Sequence, residues 1–585
     1  MDEMELLSGN EAIARGAYES GVVIATAYPG TPSTEILENI KSYEEIYCQW
    51  SPNEKVALEV AMGASFAGAR TLVAMKHVGL NVAADPFMTL SYTGIKGGIV
   101  LVSADDPAMH SSQNEQDNRH YAKFAKIPML EPSDSQEAKD FVSKALKISE
   151  KFDTPVLLRI TTRIAHSEGR VKLFERVKNK KEYKFNKNPQ KFVMIPAYAR
   201  KRHVIVEDRL KKIERYSEDT ELNKIELDSR DIGIITSGIS YQYSKEVMPE
   251  ASFLKLGMSY PLCKEKIYNF AKKVKKIFVI EEGDRFLENH IRAMGIELEA
   301  KPDELLLGEL NIEKVESTLL KKKYSKPKEI GKVSPPKMCP GCPHRGIFYI
   351  LNSLKFTVTG DIGCYTLAVQ PPLNSIDTCV CMGASIGNAI GLSKVLSKEE
   401  NEKVVAVIGD STFIHSGITG LIDAVYNNSN ITVIILDNGT TAMTGGQDHP
   451  GTGITLRGVK TKALDIEKLC RVIEVSSVET VDPYNLDDIK DVILRAKKID
   501  GVAVIISKRK CILIDKESVK EPLKIDEEKC KICEICIKLG CPAIVSVSEK
   551  EKDIKGKKEK PPIIDEYLCT GCGLCKQVCK FDAII

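Results

Sequence analysis

Cysteines are the most concentrated set of chemically active side chains in this sequence. Of 17 cysteines in 585 residues, only Cys48 and Cys263 precede residue 300. Closely spaced cysteines are more often metal ligands than disulfides when no secretion signal is present. Eight of them form two runs near the end of the sequence: Cys530, Cys533, Cys536 and Cys541, then Cys569, Cys572, Cys575 and Cys579. A zinc ion needs four thiolates, and the third closely spaced cysteine of each run does not fit that arrangement. The two runs therefore favour two [4Fe–4S] clusters.

The two runs resemble those of two-cluster bacterial ferredoxins, in which the last cysteine of each run binds the cluster of the other run. The resemblance implies two ligand sets: Cys530, Cys533, Cys536 and Cys579, and Cys569, Cys572, Cys575 and Cys541. This sequence has four residues rather than three before Cys541, and Lys580 stands where proline is usual. Neither difference removes a ligand.

A second candidate site follows two short apolar runs, Val404 to Ile408 and Ile431 to Leu436, which have the composition of buried strands. The positions after these runs that could bind a ligand are Gly409, Asp410, Ser411, Asn438 and Thr440. A carboxylate, an amide oxygen and a backbone carbonyl suit Mg²⁺, and two phosphates at the N-terminus of the helix after Asp410 would complete its shell. The alternative is that Asp410 only caps that helix.

The spacing resembles the thiamine diphosphate motif, in which Gly-Asp-Gly or Gly-Asp-Ser is followed about 25 to 30 residues later by Asn-Asn or Asp-Asn. Here Asn438 follows Asp410 by 28 residues, and Ser411 replaces the commoner glycine. The resemblance implies that Mg²⁺ is bound by the side chains of Asp410 and Asn438 and by the carbonyl of Thr440. Thiamine diphosphate would lie beside them.

Thiamine enzymes of this kind also use a glutamate from a second α/β domain, which contacts the aminopyrimidine ring. Glu54 and Glu59 compete for this role, because each is followed nine positions later by a glycine, Gly63 or Gly68. Only the Glu59 register continues into Gly-Ala-Arg, similar to the Gly-Tyr-Ala-Arg ending of thiamine enzymes, and places Gly63 one turn away on the same helix face. We therefore predict Glu59, with Glu54 as the alternative; the ordinary explanation of Glu59 is a solvated helix face.

The segment AYPGTPSTE, residues 27–35, resembles the YPxTPS motif of 2-oxoacid:ferredoxin oxidoreductases. The resemblance implies that Thr31 faces the substrate. Threonine before proline is also typical of a helix N-cap with proline at the first helical position, so Thr31 could serve as both.

A third group of cysteines accompanies the Asp410 motif. Its members begin in a Cys-Pro-Gly-Cys turn and end on the far side of the same domain: Cys339, Cys342, Cys364 and Cys511. Cys511 is similar in position to the last ligand of the proximal cluster in pyruvate:ferredoxin oxidoreductase, so the resemblance implies a third [4Fe–4S] cluster. Cys379 and Cys381 are a competing pair, or else small buried residues at a helix start.

These candidate residues require parallel sheets to position them. Seven runs rich in Val and Ile indicate buried strands: Val22 to Ala25, Ile99 to Val102, Ile232 to Ile235, Ile277 to Ile280, Val404 to Ile408, Ile431 to Leu436 and Val502 to Ile506. Amphipathic segments lie between many of them, including Gln136 to Phe152 and Asn485 to Lys498. This alternation predicts an α/β protein with doubly wound sheets.

The sequence is too long for a single core, and three Lys-rich stretches of low hydrophobicity divide it: Arg176 to Arg202, Lys321 to Lys337 and Lys550 to Lys560. We predict solvated connections there, the alternative being docking surfaces for an acidic partner. The predicted parts are a pyrimidine-binding domain (1–175), a connecting segment (176–230), a domain like the C-terminal domain of transketolase (231–320), a thiamine diphosphate and Mg²⁺ domain (321–515) and a ferredoxin-like domain with two [4Fe–4S] clusters (516–585).

Composition narrows the class of protein further. Hydrophobic residues make up 43% of the sequence, and 83 basic against 81 acidic residues leave a net charge of +2. This balance does not indicate a nucleic-acid partner. No apolar run approaches the roughly 18 to 20 residues of a membrane span, and the first residues lack a signal-peptide pattern. We expect a cytoplasmic protein without a membrane partner.

The order of these parts resembles the alpha-subunit family of indolepyruvate ferredoxin oxidoreductases, members of the 2-oxoacid:ferredoxin oxidoreductases, over essentially the whole sequence. The resemblance implies oxidative decarboxylation of an arylpyruvate with coenzyme A, ferredoxin as electron acceptor and a separate beta subunit. Three alternatives are the same chemistry on pyruvate or 2-oxoglutarate, a non-redox thiamine decarboxylase, and an electron carrier with a degenerate thiamine fold. The C-terminal cysteines disfavour the decarboxylase, and Glu59, Asp410 and Asn438 disfavour the carrier.

Overall fold

The structure, a computed structural model, describes residues 3–178, 182–324, 336–546 and 561–585. Two units, residues 1–328 and 329–585, each have their own dense set of internal contacts, and they are described separately. The predicted Lys-rich stretch Lys550 to Lys560 and most of Lys321 to Lys337 lie outside the described residues.

In its described residues, the first unit contains 13 strands and 14 α-helices. Its strands are β1 Met4–Ser8, β2 Ile24–Ala27, β3 Tyr47–Trp50, β4 Thr71–Lys76, β5 Ile99–Asp105, β6 Met129–Leu130, β7 Val156–Thr161, β8 Glu168–Lys172, β9 Asn223–Glu226, β10 Ser229–Thr236, β11 Ala251–Leu256, β12 Met258–Tyr260 and β13 Lys276–Ile280. Its helices are α1 Gly9–Glu19, α2 Thr34–Ile40, α3 Glu54–Ala67, α4 His77–Val82, α5 Ala84–Thr93, α6 Arg119–Ala125, α7 Ser135–Phe152, α8 Thr162–His166, α9 Pro189–Phe192, α10 Pro196–Asp219, α11 Ile239–Val247, α12 Lys264–Ala271, α13 Phe286–Ala293 and α14 Ile312–Leu319.

The main sheet of the first unit has the strand order β12-β6-β7-β5-β4-β2-β3, and only the β12–β6 pairing is antiparallel. Strands β5 and β7 are buried along their whole length, as expected for strands covered on both faces. Helix α7 confirms the predicted helix at Gln136 to Phe152; it begins after Asp134, whose side chain accepts a hydrogen bond from the Glu137 N–H.

A second sheet of this unit, with the order β13-β10-β11-β9, corresponds in sequence to the predicted part 231–320. It shares its core with the main sheet: Leu254 and Phe270 belong to the same apolar cluster as Leu58 and Leu101. Strand β12, which comes from the same predicted part, is the edge strand of the main sheet. The first unit therefore joins two predicted parts through one continuous core.

The predicted connecting segment 176–230 contains the 24-residue helix α10. Arg202, at the end of the stretch predicted to be solvated, is buried and donates to the Tyr92 carbonyl at 2.6 Å and to the Asp153 carboxylate at 3.1 Å. The prediction of a solvated stretch is therefore wrong at Arg202, because a basic side chain can be buried when acceptors meet it.

A buried ionic network links the main sheet of the first unit with the sheet β13-β10-β11-β9. Arg119 donates to Asp117 at 2.9 Å and to Glu281, just after β13, at 2.7 Å. Arg159 on β7 donates to Asp105 at the end of β5, also at 2.7 Å. Both arginines are almost wholly buried. Removing one member of such a buried ion pair strongly destabilises a fold, because the other charge is left buried without a partner.

The part of the second unit that the structure describes contains seven strands and eight α-helices. Its strands are β14 Thr357–Thr359, β15 Val404–Gly409, β16 Ile431–Asp437, β17 Ser477–Val481, β18 Val502–Lys508, β19 Ile544–Val545 and β20 Ile563–Ile564. Its helices are α15 Arg345–Ser353, α16 Ala384–Ser393, α17 Lys398–Asn401, α18 Asp410–Thr412, α19 Ile418–Tyr426, α20 Ile466–Val472, α21 Leu486–Ala496 and α22 Leu574–Val578.

The five-stranded sheet of the second unit, in the order β14-β15-β16-β18-β17, is parallel throughout. Its central strands are apolar and buried, and α21 confirms the predicted helix at Asn485 to Lys498. Residues of the predicted ferredoxin-like part, such as Leu539 and Leu574, belong to the same core cluster as Phe348 of α15. That part is therefore packed on the sheet domain.

Three broader findings follow from the described residues. All seven predicted apolar runs overlap strands, so the predicted α/β class is confirmed. None of the 17 cysteines, all of which lie in the described residues, forms a disulfide. Within the described ranges, no helix combines the length and apolar character needed to cross a bilayer.

Replacing Arg119 with methionine is expected to lower the free energy of unfolding of the first unit by about 3 to 5 kcal/mol, because Asp117 and Glu281 would remain buried without their counter-charge. Calorimetry of the full chain measures this as a lower midpoint of the transition. The control is Lys275→Met, which removes an exposed ion pair with Asp231 and should leave the midpoint unchanged. Equal midpoints for the two variants would contradict this role of the network.

Candidate functional site

Strands β15 and β16 bring the two halves of the predicted Mg²⁺ motif together. They are parallel neighbours, with Gly409 opposite Leu436, so their carboxyl ends meet at one edge of the sheet. Asp410 is the first residue after β15, and its Oδ2 accepts a hydrogen bond from the Gly439 N–H at 2.8 Å. Asn438 is the first residue after β16. The residues separated by 28 positions in sequence are therefore neighbours in the fold.

The remaining residues of the motif are held by hydrogen bonds between the two loops and within the second. Asn438 Oδ1 accepts from the Thr440 N–H at 3.3 Å, and the Thr440 hydroxyl donates to the Gln447 carbonyl at the same distance. The Thr441 hydroxyl donates to the Ser411 hydroxyl at 2.9 Å. The predicted side chains of this motif are buried, with relative exposures of 3 to 6%. The carboxylate and amide oxygens thus belong to one preorganised loop pair.

The electrostatics of this edge favour a cation. Burial and the neighbouring Asp410 carboxylate both raise the pKa of Asp437, which shows that two acidic groups repel each other here. A hard divalent cation with oxygen ligands would relieve that repulsion. The donor set of carboxylate, amide and carbonyl oxygens therefore fits Mg²⁺ with a diphosphate.

Two histidines that the sequence analysis did not select surround this motif. His344 Nε2 lies 3.3 Å from Asn438 Nδ2, and burial lowers the pKa of His344 to about 4, so its ring is neutral at pH 7. His449 Nε2 lies 3.3 Å from Asp410 Oδ2. His344 directly follows the Cys-Pro-Gly-Cys-Pro segment, a position that could have drawn attention to it; His449 carries no comparable signal.

The four cysteines of the predicted third cluster come together in the second unit. Burial raises the pKa of Cys342 to about 12, and the Cys339 and Cys364 thiols act in the same direction. Burial, followed by Cys511 and Cys339, raises the pKa of Cys364 to about 11. Each of these thiols is thus within electrostatic range of others in the set. Buried thiols of this kind become thiolates only when a cation binds them.

The competing pair lies beside a different group. The Cys379 thiol is 3.6 Å from the Asp361 carbonyl, and the Asp361 carboxylate helps to raise the pKa of Cys381, after burial. Asp361 caps α16 through the Gly383 and Ser385 N–H groups, at 2.9 and 3.0 Å. A capping carboxylate is a poor neighbour for a thiolate, so this placement favours the set that contains Cys511.

Hydrogen bonds directly connect the predicted Mg²⁺ motif with the segment that contains Cys511. The Cys511 N–H donates to the Asn438 carbonyl at 2.9 Å, and the Arg509 N–H donates to the Asp437 carbonyl at 3.0 Å. The segment after β18 therefore lies against the end of β16. A group bound at Asn438 and one bound at Cys511 would be close neighbours.

The ferredoxin-like part brings together the second predicted ligand set. Its four thiols line one pocket: Cys541, Cys569, Cys572 and Cys575. Cys541 thus lies with the second run, as the exchange of last cysteines requires. In the first run, Cys530 and Cys533 act on the pKa of Cys536, which burial raises to about 11. The Cys579 sulfur accepts a hydrogen bond from the Ala583 N–H at 3.4 Å.

In the first unit, the structure distinguishes the two competing glutamates. Glu54 begins α3 and is only 5% exposed, with its carboxylate against Gly79, where a Cβ would lie 2.6 Å from Glu54 Oε1. The Glu59 side chain is 43% exposed and pairs with Lys55 one turn earlier. The solvated-face explanation therefore describes Glu59, whereas the position of Glu54 suits a carboxylate shielded from water.

Thr31 follows β2 at the carboxyl edge of the main sheet. Its carbonyl accepts from the Ser111 hydroxyl at 3.4 Å, and the Lys76 ammonium at the end of β4 donates to the Ser111 carbonyl at 2.6 Å. The predicted N-cap role of Thr31 is wrong, because α2 begins at Thr34 and Ser33 occupies the N-cap position. The Thr34 hydroxyl instead accepts from the Gly30 N–H at 3.0 Å and closes the turn.

Lys76 is the residue of this edge that sequence reasoning missed. Burial lowers its pKa to about 8, although the Asp106 and Glu54 carboxylates act in the opposite direction. A lysine followed by histidine after an apolar run carried no distinguishing pattern in the sequence. The turn after β2 and the end of β4 thus meet at Ser111, which contacts the Thr31 carbonyl and the Lys76 ammonium.

Three known families match successive parts of the chain. Residues 15–229 match "Pyruvate flavodoxin/ferredoxin oxidoreductase, thiamine diP-bdg". Residues 361–507 match "Thiamine pyrophosphate enzyme, C-terminal TPP binding domain", and residues 562–585 match "4Fe-4S binding domain". The first match extends through the predicted connecting segment.

Full-length relatives carry one shared name. Indolepyruvate oxidoreductase subunit IorA of Archaeoglobus fulgidus is 43% identical over 100% of this chain and 97% of its own length. The protein of the same name from Pyrococcus horikoshii is 40% identical over 99% of this chain and 96% of its own length. This chain belongs to the IorA family. A 2-oxoglutarate synthase subunit, KorA of Methanothermobacter thermautotrophicus, is 27% identical over 34% of this chain and 55% of its own length.

Membership of the IorA family confirms the resemblance inferred from the motifs. The chain is an oxidoreductase subunit with thiamine diphosphate-binding α/β domains and a C-terminal iron–sulfur domain. Thiamine diphosphate and iron–sulfur clusters are therefore its cofactors. The roles of individual residues remain predictions that rest on the geometry above.

Proposed function

We propose that this chain is the catalytic subunit of an indolepyruvate:ferredoxin oxidoreductase, which converts an arylpyruvate and coenzyme A to carbon dioxide and an aryl-acetyl-coenzyme A. The observation that carries this proposal is the full-length identity to IorA proteins. The contact between Cys511 and Asn438 supports it, because oxidation at one cofactor requires an electron acceptor nearby.

The proposed cofactor site lies at the β15 and β16 ends. Asp410, Asn438 and the Thr440 carbonyl would hold Mg²⁺, and Gly409 and Ser411 would bind the diphosphate. Thiamine diphosphate supplies, when bound, a carbon nucleophile for the keto carbon of the substrate and an electron sink for decarboxylation. The neutral His344 ring keeps Asn438 in place without adding charge.

We assign the catalytic carboxylate to Glu54 rather than to the predicted Glu59. A carboxylate that holds a proton for an aminopyrimidine nitrogen must be shielded from water, or solvent competes for that proton. Glu54 is buried and lies against Gly79, which has no side chain to separate it from a ring. Glu59 is exposed and already paired with Lys55.

The substrate would be held by groups at the ends of β2 and β4. The Thr31 hydroxyl can donate to the keto acid, as the motif resemblance implies, and the Lys76 ammonium can pair with its carboxylate. Lys76 has a pKa of about 8 and is therefore mostly protonated at pH 7. These two residues position the substrate but do not select its aromatic side chain.

Three [4Fe–4S] clusters would carry single electrons from the site to ferredoxin. The set at Cys339 would hold the first, because it lies against the Asn438 segment. The Cys541 set would be next, since the Gly341 turn abuts Thr570: a Cβ on Gly341 would lie 2.3 Å from its hydroxyl. The Cys530 set, with Cys533 exposed, would face the soluble acceptor. A beta subunit is the proposed permanent partner.

The proposed reaction is tested by anaerobic reduction of ferredoxin by this chain and its partner subunit, with coenzyme A and one of indolepyruvate, pyruvate or 2-oxoglutarate. We expect indolepyruvate to give the highest kcat/KM. Equal or higher values with pyruvate or 2-oxoglutarate would keep the thiamine and cluster chemistry but refute the substrate. No reduction with any of the three would refute the proposed function.

Changing Glu54 to glutamine is expected to lower kcat by about 10² to 10⁴-fold, because the amide cannot exchange the proton. The matched control on the same helix is Glu59→Gln, for which kcat should change little. Thiamine content of each purified variant shows whether the cofactor is still bound. Loss of activity in the Glu59 variant alone would return the role to Glu59.

Changing Cys511 to alanine is expected to reduce bound iron from about twelve to about eight atoms per chain, because one of three [4Fe–4S] clusters loses a ligand. The matched control is Cys379→Ala, which should keep all the iron. Iron and acid-labile sulfide are measured on anaerobically purified protein. The opposite pattern would transfer the ligand role to the Cys379 pair.

A further inference from the structure

Arg345 is an unusual buried cation in the second unit. It begins α15, directly after the Cys-Pro-Gly-Cys-Pro-His segment, and is 2% exposed. Its guanidinium donates only to backbone carbonyls: those of Met338 at 2.8 Å, Cys339 at 2.9 Å and Leu539 at 2.9 Å. Within the described ranges its Nε has no acceptor, and it forms no ion pair with a carboxylate.

The absence of a carboxylate is costly for a buried charge. A buried cation is usually paired, because desolvation costs several kcal/mol and carbonyl dipoles offset only part of it. Elsewhere in this chain the buried Arg119 contacts two carboxylates and Arg159 three, whereas the buried Arg209 donates to two backbone carbonyls. What distinguishes Arg345 is that it combines carbonyl partners with a position beside two cysteine sets.

Two thiol sets lie beside Arg345. Its guanidinium donates to the Cys339 carbonyl, and Arg345 follows Cys342 by three residues. The same side chain lines the pocket of Cys541, Cys569, Cys572 and Cys575 and donates to the Leu539 carbonyl. One buried positive charge is thus next to both places where negative clusters are predicted.

A [4Fe–4S] cluster with four thiolate ligands is such a negative charge, and it becomes more negative when reduced. The net charge around a cluster is one of the terms that set its reduction potential. A cation fixed in a buried site, where screening by salt is weak, stabilises the reduced form more than the oxidised form.

We propose that Arg345 is the shared counter-charge of two neighbouring clusters, those of the Cys339 and Cys541 sets, and that it raises the reduction potential of both. Its hydrogen bonds also join the Cys339 turn to the Leu539 turn, which precedes Cys541 by two residues. Arg345 is a positioning residue that acts on the clusters through charge. This inference rests on the proposed function, because it requires both clusters.

The test compares the full chain with the variants Arg345→Lys and Arg345→Gln, each purified anaerobically with its partner subunit. Redox titration followed by electron paramagnetic resonance measures the cluster potentials, and iron analysis counts the clusters. The control is Arg471→Gln, an exposed arginine of the same unit paired with Glu467.

With glutamine at position 345, two cluster potentials are expected to shift to more negative values, while the iron content and the third potential stay as in the unaltered chain. With lysine, which keeps the charge, the shift should be much smaller. The Arg471 control should show no shift.

Two results would overturn the inference: unchanged potentials in an Arg345→Gln chain that holds all its iron, or equal shifts in the lysine and glutamine variants. Either would mean that Arg345 only caps the three carbonyls. If the Arg345→Gln variant does not bind iron, the Arg345→Lys variant is the test. Cluster potentials equal to those of the unaltered chain would then support the charge role. Shifted cluster potentials in the lysine variant would oppose it. Fewer than about twelve iron atoms in the unaltered chain would instead refute the cluster assignment.

Discussion

Parallel strands that end side by side are the constraint on which both units depend. Their interiors are covered on both faces and admit apolar residues, so polar chemistry can begin only where the strands stop. In the second unit this edge brings Asp410 to Gly439 across two strand ends. In the first unit the same edge places Lys76 beside the Ser111 and Thr31 turns. One rule of sheet geometry thus places the candidate residues of both units.

Bringing polar groups to a buried edge creates charge that must be balanced. The first unit does this internally, with two arginines whose guanidiniums contact carboxylates of both sheets. The second unit compensates its buried charges less completely: Asp437 pairs with Lys508 at 3.4 Å, yet burial and the neighbouring Asp410 carboxylate still raise its pKa, and Arg345 has carbonyl partners only. Full compensation stabilises the fold, whereas partly compensated charge suits a site that binds charged cofactors. The two units therefore use buried charge for different purposes.

Local sequence patterns predicted those features of this protein that depend on residues close together in sequence. Runs of Val and Ile gave strands, amphipathic periodicity gave α7 and α21, and the ferredoxin spacing placed Cys541 with the second cysteine run, as the pocket of that set shows. The choice between Glu54 and Glu59 was different. Both lie on α3 with the same glycine spacing, and only packing against Gly79 buries one of them.

By itself, the sequence determined the α/β class and the family, and it predicted the strand-end motif and the cysteine sets, because each depends on residue types at fixed spacing along the chain. Tertiary structure alone decided which side chains are shielded and which are adjacent. It buried Glu54 and exposed Glu59, joined Cys511 to the Asn438 loop, and placed Arg345 beside two thiol sets. Burial and contact depend on elements far apart in sequence, and no local spacing encodes the order in which a sheet assembles them.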